Sequence, residues 1–292
     1  MRMKTMAEPQ LRWTVREERI FAQLRELAKR YDVGKLVLFG SRARRLQAEK
    51  SDVDIAVYDC ADFRDFAFDV EEKVDTLLTF DIVNMNESPS AELVAEILRD
   101  GVILYEKVQE PLINSASPSW RIFSALSASA NPPHSPAMRP VCLLDRAKNL
   151  HQSDELHFIS DSYDEFSRHL HVLAQAPLQD LENEFIISGI IDKFFIQFEL
   201  GWKVLKELLR YEGKATAASG SPREIIKAAY RCFDFLEEDV WLDMLRTRND
   251  LTHIYDSARA RALVTEILTR FIPAFETMDE AVREAYPLEL SR

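Results

Sequence analysis

The feature that most constrains the fold is a pair of apolar runs separated by a polar stretch that begins with Gly-Ser. Residues 35–39 read KLVLF and predict a buried strand, and a second strand-like run, SDVDIAV, begins at 51. Side chains two apart on a strand project from the same face, so Asp52 and Asp54 point the same way. Two such carboxylates repel each other and are costly to bury unpaired, and a divalent cation with oxygen ligands resolves the conflict.

These two runs carry a family resemblance. Gly40-Ser41, ten intervening residues and Asp52-Val53-Asp54 resemble the active-site signature of the DNA polymerase β-like nucleotidyltransferases, in their small form, the minimal nucleotidyltransferase. The resemblance implies two Mg²⁺ ions at Asp52 and Asp54, with ATP as a substrate. It also implies a third carboxylate on a neighbouring strand, which completes the metal site and can take the proton from the attacking hydroxyl. Asp81, in the run LLTFDIVNM, fits that place; the alternative is an edge-strand Asp that faces water.

The Gly-Ser turn is the candidate phosphate site. Gly40 lets the backbone approach phosphate oxygens, which N–H groups at a helix start attract, and Ser41 adds a hydroxyl donor. A short helix is expected to follow Ser41, where Arg42 or Arg44 could pair with a phosphate. The alternative for each arginine is an ordinary solvated helix charge.

The periodicity of the chain changes along its length. Residues 1–108 alternate helical and strand patterns, residues 109–141 are a Pro/Ser-rich linker, and residues 142–292 are wholly helical. The predicted fold is therefore an α/β polymerase β-like domain followed by an all-α bundle. The predicted helices cover 14–30, 63–78, 90–99, 161–174, 181–210, 238–255 and 258–285, the last bent at Pro273. A capping box, Ser221-Pro222-Arg223-Glu224, starts a further helix.

A polar cluster, RNDLTHIY from 248 to 255, stands out in the helical half. Seen alone, its histidine would be an ordinary core residue. Together with FELGWKVLKELLRYEG, SPREIIKAAYR and VWLDMLRTRNDLTHIYD, however, the cluster resembles the HEPN-type nucleotidyltransferase substrate-binding proteins. Their R-x4-H-x-Y motif is met by Arg248, His253 and Tyr255, with Asn249 beside the arginine.

That second resemblance implies two roles. In HEPN ribonucleases, Arg and His from two protomers meet in a dimer cleft and cut RNA without metal, so Arg248 and His253 are candidate catalytic residues. In HEPN toxin–antitoxin pairs, the minimal nucleotidyltransferase transfers AMP from ATP to the motif tyrosine, which makes Tyr255 the candidate acceptor. HEPN chemistry requires a dimer, so a homodimer through the helical domain is expected, whereas Tyr255 could be reached within one chain or across a dimer. The remaining alternative is a substrate-binding or dimerising bundle without chemistry.

The composition limits the kinds of binding partner and the cellular location that we expect. A net charge of −12 argues against broad binding to nucleic acid or to anionic membranes, although a local basic patch is compatible with it. Three scattered cysteines give neither a disulfide framework nor a zinc motif. No apolar run is long enough to span a membrane, and the N-terminus lacks the apolar core of a signal peptide. We therefore expect a cytoplasmic protein.

Three hypotheses follow. The first is a Mg²⁺-dependent transfer of AMP from ATP to Tyr255 within a fused toxin and antitoxin. The second is transfer to a separate small molecule or RNA that the helical domain binds. The third is a metal-independent HEPN ribonuclease that the nucleotidyltransferase domain regulates.

Overall fold

The computed structural model describes residues 13–107, 153–215, 220–250 and 257–287, with the backbone alone for 153–160. The first of these ranges forms a sheet flanked by helices, the α/β part, and the other three form the helical part. The predicted fold class, an α/β domain followed by an all-helical one, is confirmed within these ranges. The predicted linker at 109–141 lies outside the described residues, as do the domain boundaries at 108 and 142.

Helices and strands follow one another in the α/β part in the predicted order. The helices are α1 (Val15–Arg30), α2 (Gly40–Ala43), α3 (Phe63–Lys73) and α4 (Ala91–Asp100). The strands are β1 (Lys35–Leu38), β2 (Val53–Tyr58), β3 (Phe80–Asn84) and β4 (Val102–Glu106). A capping box between Thr14 and Glu17 starts α1. Helix α3 is shorter than the predicted 63–78 because the backbone becomes extended at Val74.

The strands within residues 13–107 pair in the order β3-β2-β1-β4. Strand β1 runs antiparallel to both β2 and β4, whereas β2 and β3 are parallel. On one face, Ile55 of β2 is buried in the core that α1 and α3 cover. On the other face, Ala56 packs with Ile97 of α4. Because side chains alternate along a strand, Asp54 lies on the face that carries α4.

The helical part contains α5 (Ser153–Leu173), α6 (Glu184–Tyr211), α7 (Pro222–Cys232), α8 (Glu238–Asn249), α9 (Ser257–Glu266) and α10 (Ile272–Ala285). Helix α5 begins at Ser153 rather than at 161. Helix α6 begins at Glu184 rather than at 181, since the Asn183 side chain caps it there. The predicted capping box at Ser221 is present at the start of α7.

The long helix predicted over 258–285 is not regular throughout. A π-helical segment, Ile267–Phe271, joins α9 to α10 immediately before Pro273. Proline has no N–H, and its ring crowds the carbonyl of the preceding turn, so the regular hydrogen-bond ladder is interrupted at that point. A π-helical turn, which is wider than an α-helical one, is a common way in which a helix accommodates an interrupted hydrogen-bond ladder.

Aromatic rings fill the core of the helical part. Phe194 of α6 stacks on Phe271 with ring centroids 5.0 Å apart, and Trp241 of α8 meets Phe275 edge to face at 5.9 Å. These contacts place α6 in the core of the helical part. At its start, Phe185 is 84% exposed.

Glu238, the first residue of α8, attaches the helical part to the α/β part. It accepts hydrogen bonds from the Thr76 hydroxyl at 2.6 Å and from the Leu77 backbone N–H at 2.7 Å. Its second carboxylate oxygen pairs with Arg16 of α1 at 2.6 Å. The Glu238 side chain is only 8% exposed, so water cannot readily replace it as a partner for these groups.

We expect Glu238→Ala to destabilise the chain by about 2–3 kcal/mol, because it leaves the buried Leu77 N–H without its acceptor and removes the carboxylate partner of the partly buried Arg16 guanidinium. The free energy of unfolding, from urea titration, measures the effect. Asp239→Ala is the matched control, since the neighbouring pair of Asp239 with Arg19 is exposed and should cost less than about 0.5 kcal/mol. Equal costs for the two variants would contradict the role assigned to Glu238.

Candidate active site

The candidate site lies where β1 ends and β2 begins. Gly40 has a φ of 69°, in the left-handed region that favours glycine. A Cβ at this position would lie 2.7 Å from the Cγ of Asp54, closer than real side chains approach. The short helix α2 therefore begins at Gly40 itself, rather than after Ser41, with its backbone directly against a carboxylate.

Asp54 and Asp81 face each other across two neighbouring strands. They are register partners on the parallel strands β2 and β3, which places both side chains on the same face, with the strands about 5 Å apart. Burial, followed by the negative charges of Asp81, Asp52 and Glu96, raises the pKa of Asp54 to about 6. The structure thus concentrates carboxylates at this end of the sheet.

Asp52 lies one residue before β2, and its two carboxylate oxygens face different partners. One oxygen accepts a hydrogen bond from the Thr79 hydroxyl. The other pairs with Nη2 of Arg231, on α7, at 3.1 Å, and Nη1 of the same arginine lies 3.0 Å from the Thr79 hydroxyl. Among the described residues, no three His, Cys, Asp or Glu side chains converge as a ready-made metal site. Asp52 is thus a candidate metal ligand whose two carboxylate oxygens already have protein partners.

Arg42 is buried, and its guanidinium faces the loop that leads into Asp52. Its guanidinium donates to the backbone carbonyls of Glu49, Ser51 and Asp52, and it pairs with Glu17. These contacts occupy most of its N–H groups, and burial lowers its pKa. We therefore assign Arg42 to holding the loop before Asp52, and its predicted phosphate contact is not carried into the proposed function.

Arg44 also has protein partners. Its Nη1 lies 2.5 Å from a Glu96 carboxylate oxygen and 3.3 Å from one of Asp100, both on α4. These pairs fasten α2 to α4, and the guanidinium stays partly exposed. Ser41, on the same turn, is partly exposed as well, so its hydroxyl is accessible to a ligand.

Sequence reasoning missed a basic stripe on α7, formed by Arg223, Lys227 and Arg231. Arg223 donates to the backbone carbonyls of Glu71 and Val74, and Lys227 pairs with the Glu71 carboxylate. Arg231 reaches the candidate site. A signal was present, because basic residues at a spacing of four share one face of a helix whose start the capping box defines. The identity of their partners was not readable from the sequence.

The second predicted cluster is described only in part. Arg248 lies in the last turn of α8, with its Nε 3.1 Å from Glu199 of α6 and its Nη1 3.2 Å from the side-chain oxygen of Asn249. Helix α8 ends at Asn249, before the predicted end at 255. His253 and Tyr255 lie outside the described residues.

The comparisons with known protein families agree with this geometry. Residues 22–110 match the family described as polymerase beta, nucleotidyltransferase. The sheet within these residues is therefore that of a nucleotidyltransferase domain, a class that acts on nucleotides. Residues 161–284 match the nucleotidyltransferase substrate binding protein like family. The chain is thus a polymerase β-like nucleotidyltransferase domain fused to a helical domain of the substrate-binding family. No curated protein matches it.

One further property follows from the helices themselves. In the part of the chain that the structure describes, none of them is both long and apolar enough to cross a membrane.

Proposed function

We propose that this chain is a Mg²⁺-dependent enzyme that transfers a nucleoside monophosphate, AMP from ATP, to a hydroxyl group. The observation that carries the proposal is the register pair of Asp54 and Asp81, with Asp52 one residue before the strand that carries Asp54. The family match of residues 22–110 supports a nucleotide substrate.

The three carboxylates suit magnesium. They offer hard oxygen ligands, which Mg²⁺ prefers, and a cation would relieve the repulsion that contributes to the raised pKa of Asp54. In the proposed site Asp52, Asp54 and Asp81 hold two Mg²⁺ ions. When bound, Mg²⁺ would neutralise charge on the triphosphate and lower the pKa of the acceptor hydroxyl.

The other groups of the site have distinct roles in the proposal. The missing side chain of Gly40 lets the turn lie directly against Asp54, and the Ser41 hydroxyl donates a hydrogen bond to phosphate oxygens at this turn. Asp81 is exposed on the edge strand β3, where an acceptor hydroxyl can reach it and give up its proton. Arg44 pairs with Glu96 and Asp100 through its Nη1, so a phosphate contact would use its other N–H groups.

The proposed acceptor is Tyr255, reached within one chain or across a homodimer formed by the helical part. An adenylate on Tyr255 would place an anion beside Arg248 and His253 in the R-x4-H-x-Y motif, which would block a ribonuclease cleft and neutralise its arginine. The chain would then contain a toxin and its antitoxin together.

A second candidate function is favoured by the family match of residues 161–284, whose description is substrate binding. In this alternative, the helical part presents a separate small molecule or RNA to the carboxylates. The chain itself would then stay unmodified, while the bound compound receives the nucleotide.

Incubation with Mg²⁺ and ATP is expected to add one adenylate to the chain, which tandem mass spectrometry should locate on Tyr255. Tyr255→Phe should abolish the modification, because it removes the only hydroxyl of that side chain. Tyr58→Phe is the matched control and should leave the modification intact, since Tyr58 lies at the far end of β2 from Asp52.

The other outcomes decide between the alternatives. An unmodified chain that transfers nucleotide to an added compound supports the second function. Cleavage of RNA that is lost in His253→Ala would make a ribonuclease the principal activity. A chain that transfers no nucleotide from ATP, GTP, CTP or UTP to itself or to an added acceptor overturns the proposed nucleotidyltransferase.

A further inference from the structure

Arg231 is the one member of the α7 stripe that lies at the candidate active site. Lys227 is buried and Arg223 half-buried, and both make contacts that attach α7 to the α/β part. The Arg231 side chain is 46% exposed, and the Asp52 side chain that it contacts is 36% exposed. An exposed ion pair of this kind stabilises a fold little, so its position calls for another explanation.

The chain fixes α7 on both sides of Arg231. On the side towards the helix start, Arg223 donates to carbonyls at the end of α3. Beyond the other end of α7, Lys50 donates to the carbonyl of Phe233 at 2.8 Å, pairs with Asp234 and lies over the Tyr230 ring. Because Lys50 belongs to the loop that leads into Asp52, the helical part is anchored right beside the candidate site.

We propose that Arg231 is a phosphate-binding residue of the nucleotidyl-transfer site, contributed by the helical part, which pairs with Asp52 until a divalent cation occupies that carboxylate. This assignment rests on the proposed function. It gives the helical part a direct role in holding the nucleoside triphosphate, besides presenting the acceptor.

Arg231 can exchange the Asp52 carboxylate for a phosphate group because both present similar oxygen acceptors. A guanidinium binds carboxylate and phosphate oxygens with the same fork of N–H donors. Oxygen atoms that share one Mg²⁺ ion lie about 3 Å apart, given ligand distances of about 2.1 Å. Arg231, which is 3.1 Å from Asp52, therefore needs only a rotation of its partly exposed side chain to transfer from the carboxylate to a neighbouring phosphate oxygen.

Metal and nucleotide binding by Arg231→Gln test the assignment without measuring turnover. Without nucleotide, the variant should bind Mn²⁺ several-fold more tightly, because the cation no longer competes with an arginine for Asp52. With Mg²⁺ present, it should bind a non-hydrolysable triphosphate analogue about tenfold more weakly, as expected for the loss of a charge-assisted contact. Arg231→Lys keeps the charge but loses the fork, so its nucleotide affinity should lie between those of the wild type and Arg231→Gln.

The matched control is Arg19→Gln, which removes another exposed ion pair between the two parts, to Asp239, away from the carboxylates. It should leave both affinities unchanged. An unchanged Mn²⁺ affinity in Arg231→Gln would overturn the competition for Asp52, and an unchanged nucleotide affinity would overturn the phosphate contact. If the proposed function itself is wrong, the wild-type chain should bind no nucleoside triphosphate. The assignment of Arg231 would then be wrong as well.

Discussion

Asp54→Asn is expected to reduce nucleotide transfer by about a thousandfold or more, and at the same time to make the folded chain more stable at pH 7. A thousandfold loss corresponds to about 4 kcal/mol of activation free energy, which is within the contribution of metal ions to transition-state stabilisation. Asparagine keeps the size of the side chain but removes the charge that makes it a strong magnesium ligand.

The gain in stability follows from the raised pKa of Asp54. Its pKa is about 6 in the folded chain and 3.8 in the unfolded reference. Between these values the folded chain binds more protons at this position than the unfolded chain does, so the contribution of Asp54 to stability falls as the pH rises through that window. At pH 7 the ionised Asp54 costs about 1–2 kcal/mol, after a discount for its partial exposure.

Urea titrations at pH 7 and at about pH 4 measure this effect. The advantage of Asp54→Asn over the wild type should be present at pH 7 and largely lost at the lower pH, where Asp54 is neutral in the folded chain and partly protonated in the unfolded chain. Glu106→Gln, which changes an exposed carboxylate at the end of β4, is the matched control and should show no such dependence. If Asp54→Asn gains no stability at pH 7, the carboxylates are not crowded as the structure shows them.

Gly40→Ala should have the second largest effect, because two costs coincide at this position. The left-handed backbone is unfavourable for alanine by about 1–2 kcal/mol, and the new Cβ would overlap the Asp54 carboxylate. We expect a total loss of about 3 kcal/mol or more in the free energy of unfolding. Nucleotide transfer should fall at least about a hundredfold, since the carboxylate has to move.

Gly213→Ala separates the two costs. Gly213 also has a φ of 69°, but none of the residues that the structure describes comes within 4 Å of the position of its Cβ, so it should show the backbone cost alone. An Asp54→Ala background removes the carboxylate and leaves only the Cβ of residue 54, at 3.1 Å from the new Cβ, so the excess cost of Gly40→Ala over Gly213→Ala should shrink there. An excess cost at Gly40 that does not shrink would mean that the overlap with the Asp54 carboxylate is not its cause.

Much of the site's framework could be predicted because it depends on local pattern. The alternation of Val53, Asp54 and Ile55 determines which face each side chain takes, and it places Asp54 away from the core. The apolar run that contains Asp81 identifies a strand but not its neighbour. The parallel pairing of β2 and β3, with Asp54 opposite Asp81, depends on the tertiary structure and not on local sequence. Here it agrees with what the family resemblance implies.

The basic residues show where sequence reasoning fails. Arg42 and Arg44 follow a Gly-Ser turn, and a helix start next to carboxylates makes phosphate the obvious partner. Only the folded chain shows that the guanidinium of Arg42 is surrounded by the carbonyls of its own loop, and that Arg44 reaches the acidic residues of α4. A long basic side chain pairs with the acceptors that lie nearest to it in the folded chain. Those distances cannot be derived from spacing along the sequence.

The same limit applies to the helical part. The capping box at Ser221 carries its own local signal, and that prediction is confirmed. The basic face of α7 did not stand out, because Arg223, Lys227 and Arg231 look like ordinary charges on a surface helix. They become distinctive only because that face lies against the α/β part.

The contact of Glu238 with Thr76 and Leu77 links the helical part to the strand that carries Asp81. Both residues belong to the short segment that leads into β3, an edge strand whose only neighbour within the described sheet is β2. A displacement of α8 would therefore be transmitted along this segment and alter the separation of the carboxylates on the two strands. An excised α/β half would keep every candidate ligand and still lack the external support that holds them at a fixed separation.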